Sequence, residues 1–89
     1  MSQSSTKPVK VFRMRGVSAS IFANRVQSNG GEFILHKVSL VRTYKDGAEF
    51  KRVSNFTRDE IPVARLLLAK AWEFILDTEA QQRIEDYTE

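Results

Sequence analysis

Reactive side chains are scarce along these 89 residues. There is one histidine, His36, and no cysteine, which removes thiolate nucleophiles and thiolate-bound metals from consideration. His36 has no second ligand at metal spacing and reads as a satisfied strand residue, so neither a metal nor a cofactor is expected. The adjacent carboxylates Asp59-Glu60 and Glu85-Asp86 point apart on a helix and do not form an acid/base pair. A helix cap and a solvated tail account for them. No Gly-x-Gly-x-x-Gly or phosphate-cradling Gly-Lys-Ser/Thr motif occurs, Gly30-Gly31 being a turn, and no serine has a base partner in the sequence. The chain reads as a binding protein and not as an enzyme.

What the sequence does hold is rings interleaved with cations, the two ingredients of single-stranded nucleic-acid recognition: stacking platforms for bases and a basic surface for phosphates. The rings are Phe12, Phe22, Phe33, Tyr44, Phe50 and Phe56; the cations among them are Lys10, Arg13, Arg15, Arg25, Lys37, Arg42, Lys51 and Arg52. A domain this small needs most of its rings in its core. Phe22 differs. In Val17–Val26 the odd positions Val17, Ala19, Ile21 and Ala23 are apolar, so Phe22 falls on the opposite face with Ser18, Ser20 and Asn24. A large ring among small polar groups suits base stacking; the alternative is a ring covered by a second subunit. Phe12 shares its face with Lys10 and Met14, and Tyr44 beside Lys45 either stacks on a base or covers a hairpin. The candidate nucleic-acid-binding set is Lys10, Phe12, Arg13, Arg15, Ser20, Phe22, Asn24, Arg25, Lys37, Arg42, Tyr44, Lys51 and Arg52.

The charge is divided along the chain. Through Arg58 there are eleven Lys and Arg against three acids, and from Asp59 onward three against eight, so a net +3 conceals halves of +8 and −5. Such a split points to a polyanion-binding surface if the basic half forms one sheet. Duplex reading is disfavoured, because no basic recognition helix exists and the one good helix is acidic and apolar.

The elements that position these residues follow from periodicity. Val9–Arg15 and Val17–Val26 alternate as strands around Gly16. Ser28-Asn29-Gly30-Gly31 is a hairpin turn, and Phe33–Tyr44 is a long third strand with Ile34, Val38 and Leu40 on one side and Lys37, Ser39 and Thr43 on the other. Lys45-Asp46-Gly47 is a second hairpin signal, followed by a fourth strand over Ala48–Phe56. There Phe50, Arg52, Ser54 and Phe56 oppose Glu49, Lys51, Val53 and Asn55, with the buried side open. A helix begins near Asp59. Thr57 with Glu60 makes a capping box, but that would put Pro62 at the fifth helical residue; Asp59 as cap puts it third, where its missing N–H costs nothing.

The fold class is therefore α+β: a four-stranded antiparallel sheet followed by one C-terminal helix (ββββα). The expected layout is an N-terminal tail over 1–8, the domain over 9–79 and an acidic tail over 80–89. The helix carries two apolar stripes, Ile61, Ala64, Leu68, Ala71 and Ile75, and Val63, Leu67 and Phe74, widened by Leu66, Trp72 and Leu76. One stripe suffices to cover a sheet, so the other is expected in a homodimer interface, assigned to Val63, Leu67, Lys70 and Phe74. The apolar stretch around Ile61–Leu76 is broken by Arg65, Lys70 and Glu73 and is no membrane span. Absent cysteine and a polar N-terminus suit a soluble cytoplasmic protein, with nucleoid association open.

The order of elements and the charge layout from about Val9 to Leu76 resemble the PUR domain, and more loosely the single-stranded-DNA-binding fold of the PC4 and Whirly proteins. The residues that carry the resemblance are Val38-Ser-Leu-Val-Arg-Thr-Tyr-Lys-Asp-Gly47, then Phe50-Lys-Arg-Val-Ser-Asn-Phe56, then the acidic cap and apolar helix. The chain is also similar to small bacterial proteins with a Val-Ser-Ala-Ser-Ile-aromatic segment, here Val17–Phe22. The PUR resemblance implies a dimer of two ββββα units packed through their helices, with curved sheets binding single-stranded DNA or RNA. The rival expectation is a non-catalytic homodimeric protein-interaction module.

Overall fold

In a computed structural model, which describes residues 7–87 and side chains through Gln81, the chain forms β1 (Lys10–Met14), β2 (Val17–Ser28), β3 (Gly31–Asp46) and β4 (Glu49–Val53). A 3-10 turn (Arg58–Glu60) leads into α1 (Ile61–Tyr87). The four strands make one antiparallel sheet in the order β1-β2-β3-β4. This is the expected ββββα class. Segment 1–6 of the expected N-terminal tail lies outside the described residues, and the stretch after residue 79 continues α1 as far as Tyr87.

Tight turns make the meander. Arg15 (φ 53°) and Gly16 (φ 81°) both take the left-handed conformation between Met14 and Val17, as a two-residue hairpin loop of the type I′ kind requires. A Cβ on Gly16 would lie 3.0 Å from the Thr43 carbonyl oxygen, while the Thr43 N–H donates to the Gly16 carbonyl at 2.8 Å. Gly16 thus does more than permit a bend: it lets the first hairpin close against β3.

The strands are strongly staggered. β1 pairs with β2 only over Val17–Ile21, and β4 pairs with β3 only over Arg42–Asp46, whereas β2 and β3 pair along their length from Val17↔Arg42 to Ser28↔Gly31. One rung alone, Met14-Val17-Arg42-Val53, runs through all four strands. On one side of it the sheet thins at once to the β3–β4 ribbon, and on the other it stays three-stranded through Ile21 before thinning to the β2–β3 ribbon.

Residues paired across antiparallel strands share a face. The helix lies on the face of Val17, Ala19 and Ile21, all fully buried, and meets them with Leu67 and Ala71. Alanines at 19 and 71 let the backbones approach, and Phe12, Leu40, Phe56, Val63, Phe74 and Ile75 close the margins. Phe12 stands edge-on to Phe74, with ring centroids 6.5 Å apart and planes at 74°.

Two expectations need correction. Thr57, not Asp59, heads the helical segment: the Glu60 carboxylate accepts the Thr57 N–H at 2.9 Å, and the Glu60 N–H donates to the Thr57 carbonyl at 3.0 Å. Pro62 does not object, because a 3-10 turn intervenes and the proline becomes the second residue of α1. The fourth strand also stops at Val53, short of Phe56. Freed from strand alternation, Phe56 turns into the core instead of joining Phe50 and Arg52 on their face.

The expected interface residues Val63, Leu67 and Phe74 belong to this chain's own packing, Leu67 being 1% exposed; Lys70 is exposed. The apolar row left open on α1 is Ile61, Leu68, Trp72 and Leu76, with Leu66 farther round. No helix among the described residues is long and apolar enough to cross a membrane.

Candidate functional site

The face of the sheet turned away from α1 follows from the register. It carries Arg13 on β1, then Ser18, Ser20, Phe22, Asn24 and Val26 on β2. Phe33, Leu35, Lys37, Ser39, Val41, Thr43 and Lys45 follow on β3, and Phe50 and Arg52 on β4. Four cations lie here, Arg13, Lys37, Lys45 and Arg52, and no carboxylate does. The three acids of the strands, Glu32, Asp46 and Glu49, all project on the helix side.

Pairing follows the same division. On the helix side Arg25 meets Glu32 at 3.2 Å, Arg42 meets Glu60 at 3.1 Å and Lys51 meets Asp46 at 3.8 Å. A hydrogen bond from Gln27, with help from Arg25, holds the Glu32 carboxyl below its ordinary value. Glu60 is held low as well, first by the backbone hydrogen bond from Thr57 and further by Arg42. Among the described residues no acid pairs with any of the four open-face cations. A cation without an internal partner keeps its field for an external anion.

The expected binding residues therefore separate into two groups. Arg13, Ser20, Phe22, Asn24, Lys37 and Arg52 come together on the open face, with Arg15 at its border in the β1–β2 turn. Phe22 is half-buried, flanked by Ser20 and Asn24 along its strand and directly opposite Lys37. The other six face the helix side. Phe12 packs on Phe74 with the Lys10 ammonium 5.3 Å from its centroid; Arg25 and Lys51 are ion-paired; Arg42 lies 5.2 Å over Tyr44 and also donates to Asn55. These six do not share a surface with Phe22.

Arg13, Arg15, Gly16, Ser18 and Thr43 line a shallow depression where the first hairpin abuts β3. The open face also carries Leu35 and Lys45, and two rings weighed in the sequence but left out of the candidate set, Phe33 and Phe50. Lys45 and Phe50 are cross-strand partners, with the ammonium 6.0 Å from the ring centroid. The alternation of Phe50 and Arg52 was a signal for one of them. It could not be oriented, because Val53 on the other face is equally apolar.

Among the described residues no three His, Asp or Glu side chains gather to hold a metal ion. His36 sits on the helix side, its side chain 5% exposed, with Nδ1 unbonded and 3.7 Å from Glu79. The chain matches no protein-family model, no curated protein and no solved structure, so its role has to be read from this geometry.

Proposed function

We propose that the chain binds single-stranded DNA or RNA on the open face of its sheet, as a non-catalytic homodimer. The observation that carries this reading is the separation of charge across the sheet: four cations and no acid on the face that bears the half-buried Phe22, every strand acid on the other. Bases stack on exposed rings whatever their identity, and lysine and arginine neutralise phosphates, so affinity without strong sequence preference follows. The ββββα order is the one that the resemblance to PUR-type domains implies, and absent cysteine suits a reducing, cytoplasmic setting.

The row Ile61, Leu68, Trp72 and Leu76 supports the homodimer, because it is complementary to itself. Antiparallel pairing of two helices about a two-fold axis at Trp72 sets Leu68 opposite the second copy's Leu76, and Arg65 opposite its Glu79. Among the described residues the core holds six buried side chains, and association would add to it. The same row favours a second reading, an interaction module whose basic sheet meets an acidic protein.

Fluorescence anisotropy of a labelled single-stranded oligonucleotide, titrated at several salt concentrations with a duplex control, separates the two. Single-strand preference is expected, with log K falling against log salt at a slope of up to about −3 if all four open-face cations meet phosphates. No binding even at low salt would leave the interaction module.

A further inference from the structure

We infer that the open face holds two separate stacking stations, one at Phe22 and a second at Phe50, and that a nucleic-acid strand must reach both to be held at full strength. This rests on the nucleic-acid reading above and adds to it a second subsite and a length requirement.

Phe50 is 71% exposed, the most exposed of the large apolar side chains described. Its neighbours on β4 explain why it is not needed inside: Val53 supplies the helix side, and the chain turns Phe56 into the core beyond it. The ring is not isolated in water, because the Lys45 ammonium stands 6.0 Å from its centroid. The first station has the same cross-strand pairing of ring and lysine, Phe22 across from Lys37 as Phe50 is across from Lys45. Each station thus offers a ring for a base and an ammonium for the adjoining phosphate.

The two are well separated. Lys37 and Lys45 both belong to β3 and face the same way, eight residues apart, which is about 26 Å at roughly 3.3 Å per residue. Between them the face is floored by Ser18, Ser20, Ser39, Val41 and Thr43, none large enough to block a chain lying across it. Beside that floor is the depression containing Arg13 and Arg15, where intervening phosphates find positive charge. No carboxylate interrupts the track.

Length decides whether both stations can be used. At about 3.4 Å per stacked nucleotide, an oligomer of about 4 nucleotides reaches one station only, whereas one of about 16 spans both with slack. The test is anisotropy with fluorescein-labelled thymidine oligomers of those two lengths, on the wild type, Phe22→Ala, Phe50→Ala and the double variant. With the long oligomer, each single variant is expected to weaken binding about 5- to 150-fold, the worth of one lost stack. With the short one, each single variant should lose only about twofold, since the other station remains, and the double variant should fall much further. Phe50 is exposed, so a thermal midpoint equal to wild type will confirm that its variant is folded. Long-oligomer binding indifferent to Phe50→Ala, or equal affinity for both lengths, would overturn the second station while sparing the first. Failure of the wild type to bind either oligomer would overturn the nucleic-acid reading itself.

Discussion

An arginine on a strand serves either a ligand or the fold, and the side of the sheet it projects from decides between them. Arg42 shows the second case. Its guanidinium reaches the Glu60 carboxylate at 3.1 Å, the Asn55 carbonyl at 3.1 Å and the Asn55 side-chain oxygen at 3.2 Å, tying β3 to the approach of the helix. Arg42→Gln is expected to lower stability by about 1.5–3 kcal/mol, the range of a lost charged hydrogen bond, and to leave oligonucleotide affinity unchanged. Chemical denaturation and anisotropy on the same protein check both halves; a loss of affinity at full stability would move Arg42 into the binding site. At this scale the sequence was informative wherever a strand's alternation was anchored by a run of apolar residues. Val17, Ala19 and Ile21 oriented β2 and with it Phe22. Arg25 shares that anchored alternation, which already puts it on the helix side, whereas Lys51 lies on a strand with no such anchor; the pairing of both with Glu32 and Asp46 depends on cross-strand register, which composition does not encode.

At the level of elements, the start of the helix depends on one carboxylate. Glu60 accepts the Thr57 N–H and neighbours Arg42, and both favour its ionised form, so its folded value lies below the ordinary 4.5. A depressed carboxyl stabilises the fold above its unfolded value and loses that contribution as pH falls through the folded one. Thermal midpoints should therefore drop as pH is taken below about 4.5, and Glu60→Gln should start lower at neutral pH and drop less on acidification. An unchanged acid response in Glu60→Gln would remove Glu60 from this role. The Thr57-Glu60 box was visible in the sequence, and so was the constraint from Pro62. Their compatibility was not, because a 3-10 turn between cap and helix leaves no periodic trace. The length of β4 was similarly hidden: its alternation runs on to Phe56, while its partner on β3 ends at Asp46↔Glu49 and Arg42↔Val53.

For the whole molecule, the balance lies between a small core and a large exposed apolar row. Trp72, 63% exposed, occupies the middle of that row. In the proposed dimer Trp72 lies at the two-fold axis, so Trp72→Glu is expected to leave the fold intact and give a monomer by sedimentation. Arg65→Glu should weaken the dimer, and adding Glu79→Arg should restore it; a dimer indifferent to the charge swap would dismiss the antiparallel register. That the helix had apolar surface to spare was legible from its composition. Which stripe was spare was not, since Leu67 and Leu68 are equivalent until the sheet beneath them is known. The staggered sheet has one more consequence, in the order in which the molecule comes apart. Two-stranded ribbons are marginal in water, and regions with few buried contacts open before the rest. Both Phe22 and Phe50 sit where the sheet thins to two strands. Local opening thus begins at the ends that carry the two rings, and the Met14-Val17-Arg42-Val53 rung is the last of the sheet to let go.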